Sequence, residues 1–455
     1  MLSALSRRSF LSLPMAAAAA GPARPNVIIL LADDLGWADV GYHGSEISTP
    51  NLDRLAGEGV RLEQFYSCPV CSPTRSALMT GRSAIRFGVQ YTVIRPWARY
   101  AVPASEHFMS ESFRAAGYET AIAGKWHLGH HEAKFFPGAR GFDHSYGHFN
   151  GAIDYYTHVR EGGIDWHRNG RTLEEPGYST ELIGSEAVRR IRERDKSRPL
   201  FLYVPFNAPH TPLQAPQALI ARYAKIEDGK RRTFAAMVDA MDAQVGRILG
   251  AVDDAGIRDS TIVLFFSDNG GPTDAGARNT PLRGKKGTTY EGGTRVPAIL
   301  RWPGKVRAGS RTMQVLAAHD VFPTLAAAAG VKPLNKLPLD GKNYWPQLQA
   351  GNESPHDDLF LAVHAGGTTY YSVRSGPWKL VRESSGGSDR NLLFQIGNDP
   401  NEAKDLAAQK ASIVKDLSAK LETWRALQPS HGLFSMDTPP AGWTAPKRWA
   451  DEAAR

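Results

Sequence analysis

Val27-Ile28-Ile29-Leu30-Leu31-Ala32 runs without a polar break into Asp33-Asp34. Six apolar residues make a strand's length. An unbroken run, rather than an alternating one, fits a strand buried on both faces of an α/β sheet. Residues 200–206 and 261–267 repeat the pattern. Helical patterns lie between these runs. Thr49-Pro50 opens a helix through Leu52, Leu55 and Ala56 that Gly57 and Gly59 stop. Across residues 230–255, Phe234, Val238, Met241, Val245, Ile248 and Val252 step by three or four, giving a long amphipathic helix whose methionines fill core. The alternation predicts an α/β fold: a large sheet sandwiched by helices. Polar residues stand just after three strands: Asp33-Asp34, then His210, then Asp268-Asn269. Open α/β sheets bind ligands at strand carboxyl ends, so these distant segments are expected to converge on one site.

The character changes after about residue 355. Tyr370-Tyr371-Ser372-Val373, Trp378-Lys379-Leu380-Val381 and Leu392-Leu393-Phe394-Gln395-Ile396 read as short strands, with turns at Ser375-Gly376-Pro377 and across 384–388. A helix is predicted over 401–427, and an irregular surface tail after Pro429. The expected organisation is an export signal at 1–23, a catalytic domain at 24–354 and a smaller C-terminal antiparallel β plus helix domain at 355–455.

The chain has 455 residues, 42% hydrophobic and 22% charged, as in a soluble globular enzyme with a large core. A net charge of +8 suits anionic substrates. No long Lys/Arg run and no zinc-finger spacing is present, which argues against nucleic acid. Ser6-Arg7-Arg8-Ser9-Phe10-Leu11 precedes a short apolar stretch ending in Ala16 to Ala20. Paired arginines before a run too short to span a bilayer read as a twin-arginine export signal, cleaved near Ala20 or Ala23. The expected location is periplasmic or secreted, with no stable membrane insertion.

The two cysteines, Cys68 and Cys71, stand in a Cys-x-x-Cys spacing, which alone reads as a redox pair or half a metal site. The second cysteine opens a less common run: Cys71-Ser72-Pro73-Thr74-Arg75, then Ser-Ala-Leu-Met-Thr up to Gly81-Arg82. Ser72 can cap a helix, Pro73 suits its first position and Gly81 its end. Cys71 would then sit at a helix start, where free N–H groups favour an anion, with Arg75 one turn in as a cationic fork. Asp33, Asp34, Asp268 and Asn269 are four oxygen-bearing side chains at two strand ends. Burying such acids is costly unless a cation compensates, and oxygen-only ligands favour calcium or magnesium over zinc.

The stretch at 71–82 resembles the maturation signature of type I sulfatases. Gly124-Lys125-Trp126-His127-Leu128-Gly129, Pro209-His210-Thr211-Pro212-Leu213 and the run from Arg283 to Gly293 are similar to further signatures of that family, in the same order. The resemblance extends from Asn26 to Asp399-Pro400-Asn401-Glu402. It implies the alkaline-phosphatase-like sulfatase fold and hydrolysis of sulfate esters. It implies that Cys71 is oxidised to formylglycine by a formylglycine-generating enzyme, and that Asp33, Asp34, Asp268 and Asn269, with residue 71, bind Ca2+, Mg2+ being the less favoured ion. It assigns Arg75, Lys125 and Lys286 to the sulfate, His210 (with Lys286) to protonation of the leaving alcohol, and His127 to the release step. Lys285 reads as a solvated neighbour. Gly141-Phe142-Asp143, the stretch Asp154-Tyr155-Tyr156-Thr157-His158 and Gly177-Tyr178-Ser179-Thr180 look like the branch holding arylsulfatases and N-acetylgalactosamine-4-sulfatase, which suggests a sulfated carbohydrate. A phosphate diester or phosphonate ester hydrolase on the same fold, and a non-enzymatic glycan binder with an intact Cys71, are the alternatives. Arg95, Trp97 and Arg99, and the histidines 130, 131, 144, 148 and 158, are candidates for substrate contact or for plain packing.

Overall fold

The computed structural model describes residues 24–350, 356, 358–430 and 438–453. The twin-arginine stretch and the 354/355 domain boundary lie outside the described residues. The main sheet takes strands from most of the chain: β1 (Asn26–Ala32), β2 (Val60–Tyr66), β3 (Glu119–Lys125) and β4 (His144–His148). After a small hairpin, β5 (Val159–Arg160) and β6 (Gly163–Ile164), come β7 (His167–Arg168), β8 (Arg171–Thr172), β9 (Leu200–Pro205), β10 (Thr261–Ser267), β11 (Ala298–Arg301) and β12 (Ser310–Ala317). The ten strands lie in the order β12-β2-β11-β10-β1-β9-β3-β4-β7-β8. The five from β10 to β4 are parallel. β11 pairs antiparallel with both β10 and β2, and β7 antiparallel with β4, so the sheet is mixed.

The pleat of β1 explains why its run is wholly apolar. Val27, Ile29 and Leu31 enter one core, while Ile28, Leu30 and Ala32 enter the core on the other face. The predicted long helix is Gly229–Asp254, and Phe234, Val238, Met241, Val245, Ile248 and Val252 all pack into the second core. Each such side chain contributes roughly 1.5–3 kcal/mol by leaving water. Asp228 caps this helix by accepting from Lys230 N and Arg231 N.

A separate four-stranded antiparallel meander completes the strands of the described residues: β13 (Asp358–Ala365), β14 (Thr368–Ser375), β15 (Trp378–Ser385) and β16 (Ser388–Gln395). The three strands expected from the sequence match β14, β15 and β16, except that Ile396 lies one residue past the end of β16; β13 is an addition. The helix predicted over 401–427 spans only Ala411–Arg425. Its first ten positions are diverted because the Asp399 carboxylate accepts from Ala403 N and Lys404 N, and Glu402 adopts a left-handed φ of 54°. The tail is not wholly irregular, since it ends in the short helix Trp449–Ala453.

Candidate active site

The helix behind the cysteine motif is Cys71–Thr80, with Val70 as its cap residue. It begins earlier than the capping pattern suggests, so Ser72 lies inside it. Ser72 Oγ donates to His127 O (3.1 Å) and accepts from Ile94 N (3.1 Å), tying three segments together. Gly81 ends the helix in the left-handed region (φ 67°) and donates to Ala77 O. Cys71 thus stands in the first turn, where the backbone N–H groups have no partner within the helix.

Asp33 and Asp34 leave the end of β1, and Asp268 and Asn269 leave the end of the adjacent β10. The two strand ends meet: Asp34 N donates to Asp268 Oδ1 (3.3 Å), and Asn269 Nδ2 to Asp34 Oδ1 (2.7 Å). Asp34 has a left-handed φ of 74°, which turns its carboxylate differently from that of Asp33. Arg75 donates from Nε (2.9 Å) and a terminal nitrogen (2.7 Å) to Asp268 Oδ2, and from its other terminal nitrogen to Lys125 O (3.1 Å). Lys125 Nζ meets Asp33 Oδ2 at 2.6 Å. Lys286 Nζ meets Asp34 Oδ1 at 2.6 Å and lies 3.6 Å from Cys71 Sγ. The sulfur is 3.4 Å from Asp33 Oδ1. His210 Nε2 lies 3.6 Å from Asp34 Oδ2. The structure therefore brings together Asp33, Asp34, Cys71, Arg75, Lys125, His210, Asp268, Asn269 and Lys286. His127 sits beyond the end of β3 at φ 58°, lines the same cavity as Cys71 and holds Ile94 O at 3.0 Å through Nε2.

Burial and neighbouring charges set the protonation states. Burial raises the Cys71 thiol far above its ordinary value, and Asp268 adds to this. Burial also pushes the Cys68 thiol up to about 12. Thiols this hard to ionise are poor redox nucleophiles, and both are free. Burial thus works against the thiolate that redox chemistry at the Cys-x-x-Cys spacing would use. Burial and the adjacent Asp33 raise Asp268. Burial works against the Asp34 carboxylate too, but Lys286 and His210 outweigh it and hold Asp34 below the carboxylate range. Lys286 stays charged because Asp34 overcomes the effect of burial. Burial, Lys125 and Arg75 keep His127 neutral. Burial and Lys286 bring His210 down to about 3. Of the two groups assigned to the leaving alcohol, Lys286 is thus the one that carries a proton at neutral pH.

The acids and amide fit a hard divalent cation. All their donor atoms are oxygen, the site is buried, and Asn269 Oδ1 has no hydrogen-bond partner among the described residues. Asp33, Asp34, Cys71 and His210 each offer an atom within 4.8 Å of the others.

Other candidates resolve as packing. Lys285 is half-buried and its ammonium faces Asp274 at 3.5 Å. Trp97 meets Trp443 edge-on, and Arg99 is exposed. His130 packs on Trp449, His131 on Phe135, and His148 and His158 on Trp166, while His144 pairs with Glu186 at 2.6 Å. Arg95 does reach the cavity over Cys71. Arg160 and His364 also line it, and no sequence signal points to them. Neither belongs to a motif; the folding of β5–β6 and of the C-terminal meander brings them there.

The sheet gathers acids, cations and a helix-borne cysteine at its strand ends, an arrangement with the charges to hold a tetrahedral oxyanion ester. A sulfatase family profile matches residues 25–331, and a profile of the N-sulphoglucosamine sulphohydrolase C-terminal region matches 285–427. The chain is 34% identical to mouse arylsulfatase J, over 89% of this chain and 76% of the relative. It is 33% identical to human N-acetylgalactosamine-6-sulfatase, over 88% and 85%. A solved structure, Ps i-CgsB in complex with k-i-k-neocarrahexaose, superposes with a TM-score of 0.85 at 34% identity, covering 91% of this chain and 95% of that one. The chain belongs to the sulfatase family, with the mixed-sheet fold that the resemblance implied and the small C-terminal β-sheet that the strand pattern predicted. It is a sulfuric ester hydrolase.

Proposed function

We propose that this sulfatase acts on a sulfated saccharide, with Cys71 converted to formylglycine beside a calcium ion held by Asp33, Asp34, Asp268 and Asn269. The observation that carries the proposal is the position of the Cys71 sulfur, 3.4 Å from Asp33 and 3.6 Å from Lys286, directly at the acid cluster. A relative named for N-acetylgalactosamine 6-sulfate and a similar structure holding neocarrahexaose support the saccharide. When present, the hydrated aldehyde supplies a nucleophilic hydroxyl and the cation supplies the charge that acidifies it.

The chain's own residues do the rest. Arg75 fixes the Asp268 carboxylate through two hydrogen bonds, so Asp268 is oriented to take a proton at residue 71. Lys125 and Lys286 are anchored on Asp33 and Asp34 and present ammonium groups where sulfate oxygens would sit. Lys286 holds the proton for the leaving alcohol, and neutral His210 orients that oxygen. His127, also neutral, is suited to accept a proton during sulfate release. A formylglycine-generating enzyme is the maturation partner, twin-arginine export to the periplasm or beyond is the route, and residues 24–354 and 355–455 form the two domains. Because His364 of the C-terminal meander lines the cavity, the smaller domain contributes to the site as well as to the fold.

The test is turnover of 4-nitrophenyl sulfate against bis-4-nitrophenyl phosphate and a phenyl phosphonate monoester, before and after chelation, with bound metal measured directly. Preferred turnover of the sulfate, about one bound calcium, and recovery on adding calcium are expected. Full activity in protein shown to be metal-free would refute the cation, and preferred turnover of a phosphorus ester would refute the substrate class.

A further inference from the structure

Two histidines and an aspartate, His319, Asp320 and His356, meet away from the cavity over Cys71, which none of them lines. β12 ends at Ala317 in a tight turn, Ala318–Asp320, that opens the helix Val321–Ala328. The turn puts His319 and Asp320 side by side at the helix start. His356 arrives from further along the chain, two residues before β13, where the C-terminal meander begins.

The Asp320 carboxylate is 1% exposed, and backbone groups hold both its oxygens. Oδ2 accepts from Ala317 N at 2.6 Å, and Oδ1 from Lys342 N at 2.7 Å. Each bond uses one lone pair and leaves another, and hydrogen bonds of this kind fix a ligating carboxylate in place. His356 Nε2 lies 2.8 Å from both oxygens, and His319 Nε2 lies 3.7 Å from Oδ1. The two imidazole rings stand 5.5 Å apart at 89°. One ligand-type atom from each of the three residues falls within 4.8 Å of the others.

A proton shared by His356 and Asp320 accounts for that pair alone. It leaves the second imidazole facing the same oxygen from beyond hydrogen-bond reach. An ion between the three engages them all. Ligand atoms bonded at about 2.0–2.1 Å to a tetrahedral zinc stand about 3.3 Å from one another. The separations of 2.8 and 3.7 Å bracket that spacing. Two imidazoles with one carboxylate favour an ion of the zinc class, whereas calcium takes oxygen ligands.

The surroundings suit a cation. Both histidines line a cavity of about 400 Å³, together with Asp340 and Asp358. Among the described residues its cationic side chains are Arg86 and Lys420. Each is already paired, Arg86 with Asp340 at 2.7 Å and Lys420 with Asp358 at 2.8 Å. Lys342, whose N–H meets Asp320, is itself exposed. The cavity leaves one side of the triad open to water as a further ligand.

We propose that His319, Asp320 and His356 form a second metal site, which takes one zinc-class divalent ion and clamps the helix that starts at Val321 to the entry of the C-terminal meander. The site is separate from the calcium proposed at residue 71 and does not depend on the sulfatase reading.

The experiment uses untagged full-length protein, stripped with a chelator, resupplied with excess calcium and titrated with Zn2+ by calorimetry. The wild type should bind zinc with a Kd of about 1 μM or tighter, and its thermal midpoint should rise as zinc is added. His319→Ala and His356→Ala should each weaken this binding at least about tenfold, the smallest loss usual when a metal's surroundings are disturbed. Asp320 is left unchanged because it also caps the helix. Thermal unfolding without zinc checks that each variant is folded. Anomalous diffraction at the zinc edge, from wild-type crystals, locates the ion without any variant and should place it between the three side chains. Absence of zinc binding in the wild type, full zinc affinity in either folded variant, or an ion found only elsewhere overturns the site.

Discussion

Replacing Lys379 with Met should destabilise the protein by about 3–5 kcal/mol at pH 8, the usual cost of stripping one partner from a buried ion cluster. Lys379 lies on β15, 1% exposed, with Nζ 2.7 Å from Glu291 Oε1 and 2.9 Å from Glu402 Oε1. Both glutamates are wholly buried. Glu291 keeps other support, from Tyr66 OH at 2.8 Å and Arg295 at 3.7 Å. Among the described residues, Glu402 keeps only the backbone N–H of Glu291, at 2.7 Å. Burial, reinforced by Glu291, already raises Glu402 to about 7 even with Lys379 present. Without the lysine, Glu402 must stay protonated in the fold. Its folded pKa then lies still further above the unfolded value, so the stability tied to that proton is present at low pH and lost as pH rises. The deficit of the variant should therefore shrink as pH falls from 8 towards 5. Adding Glu402→Gln to the variant should recover part of the loss. Urea unfolding followed by tryptophan fluorescence gives these numbers. A deficit below about 1 kcal/mol at pH 8, or one that does not change with pH, would refute the reasoning. The cluster also matters to the site. Glu291 adjoins Gly292, whose N–H closes the loop that carries Lys286 by donating to Arg283 O at 2.7 Å, so folded Lys379→Met protein should turn over substrate more slowly.

Lys125→Ala and Lys286→Ala should each lower kcat/KM for an aryl sulfate by about 100- to 1000-fold, the loss typical of one charge-stabilising group, and near-normal turnover would remove that lysine from the mechanism. Gly151→Ala should reduce activity strongly without unfolding the chain, because a Cβ there would meet the His127 ring at 2.6 Å; a fully active variant would show that the ring can move freely. Asp242 accepts from Asn51 N and Leu52 N at the start of the helix Pro50–Glu58, and burial pushes it up to about 6. Its folded state binds the proton more tightly than the unfolded chain, so its contribution is present below about pH 4 and lost as pH rises through 6, amounting to about 3 kcal/mol. Unfolding free energies of the wild type and Asp242→Asn across that window should diverge by this amount, and parallel curves would contradict it.

The sheet's buried centre was legible because a strand covered on both faces has no polar positions, and β1, β9 and β10 show that plainly. The flanking strands β2, β11 and β12 are shorter or part-exposed and carry no such run. The helix at 401–427 was overextended because periodicity cannot show that Asp399 will take two backbone N–H groups or that Glu402 will turn inward to Lys379. Similarly, Ser72 looked like a cap but serves as a tie between His127 and Ile94. At the site, the acids, lysines and histidines carried by motifs were readable. Arg160 and His364 were not, because each is a single residue whose position depends on how a hairpin docks.

The central claim is that residue 71 is chemically rewritten. Tryptic cleavage after Arg61 and Arg75 gives one peptide that carries both Cys68 and Cys71. In fully active protein, its mass should be lower than the unmodified value by about one water, with the change located at residue 71 and with one remaining thiol open to alkylation. An active preparation whose peptide takes two alkyl groups and keeps its full mass would contradict the account.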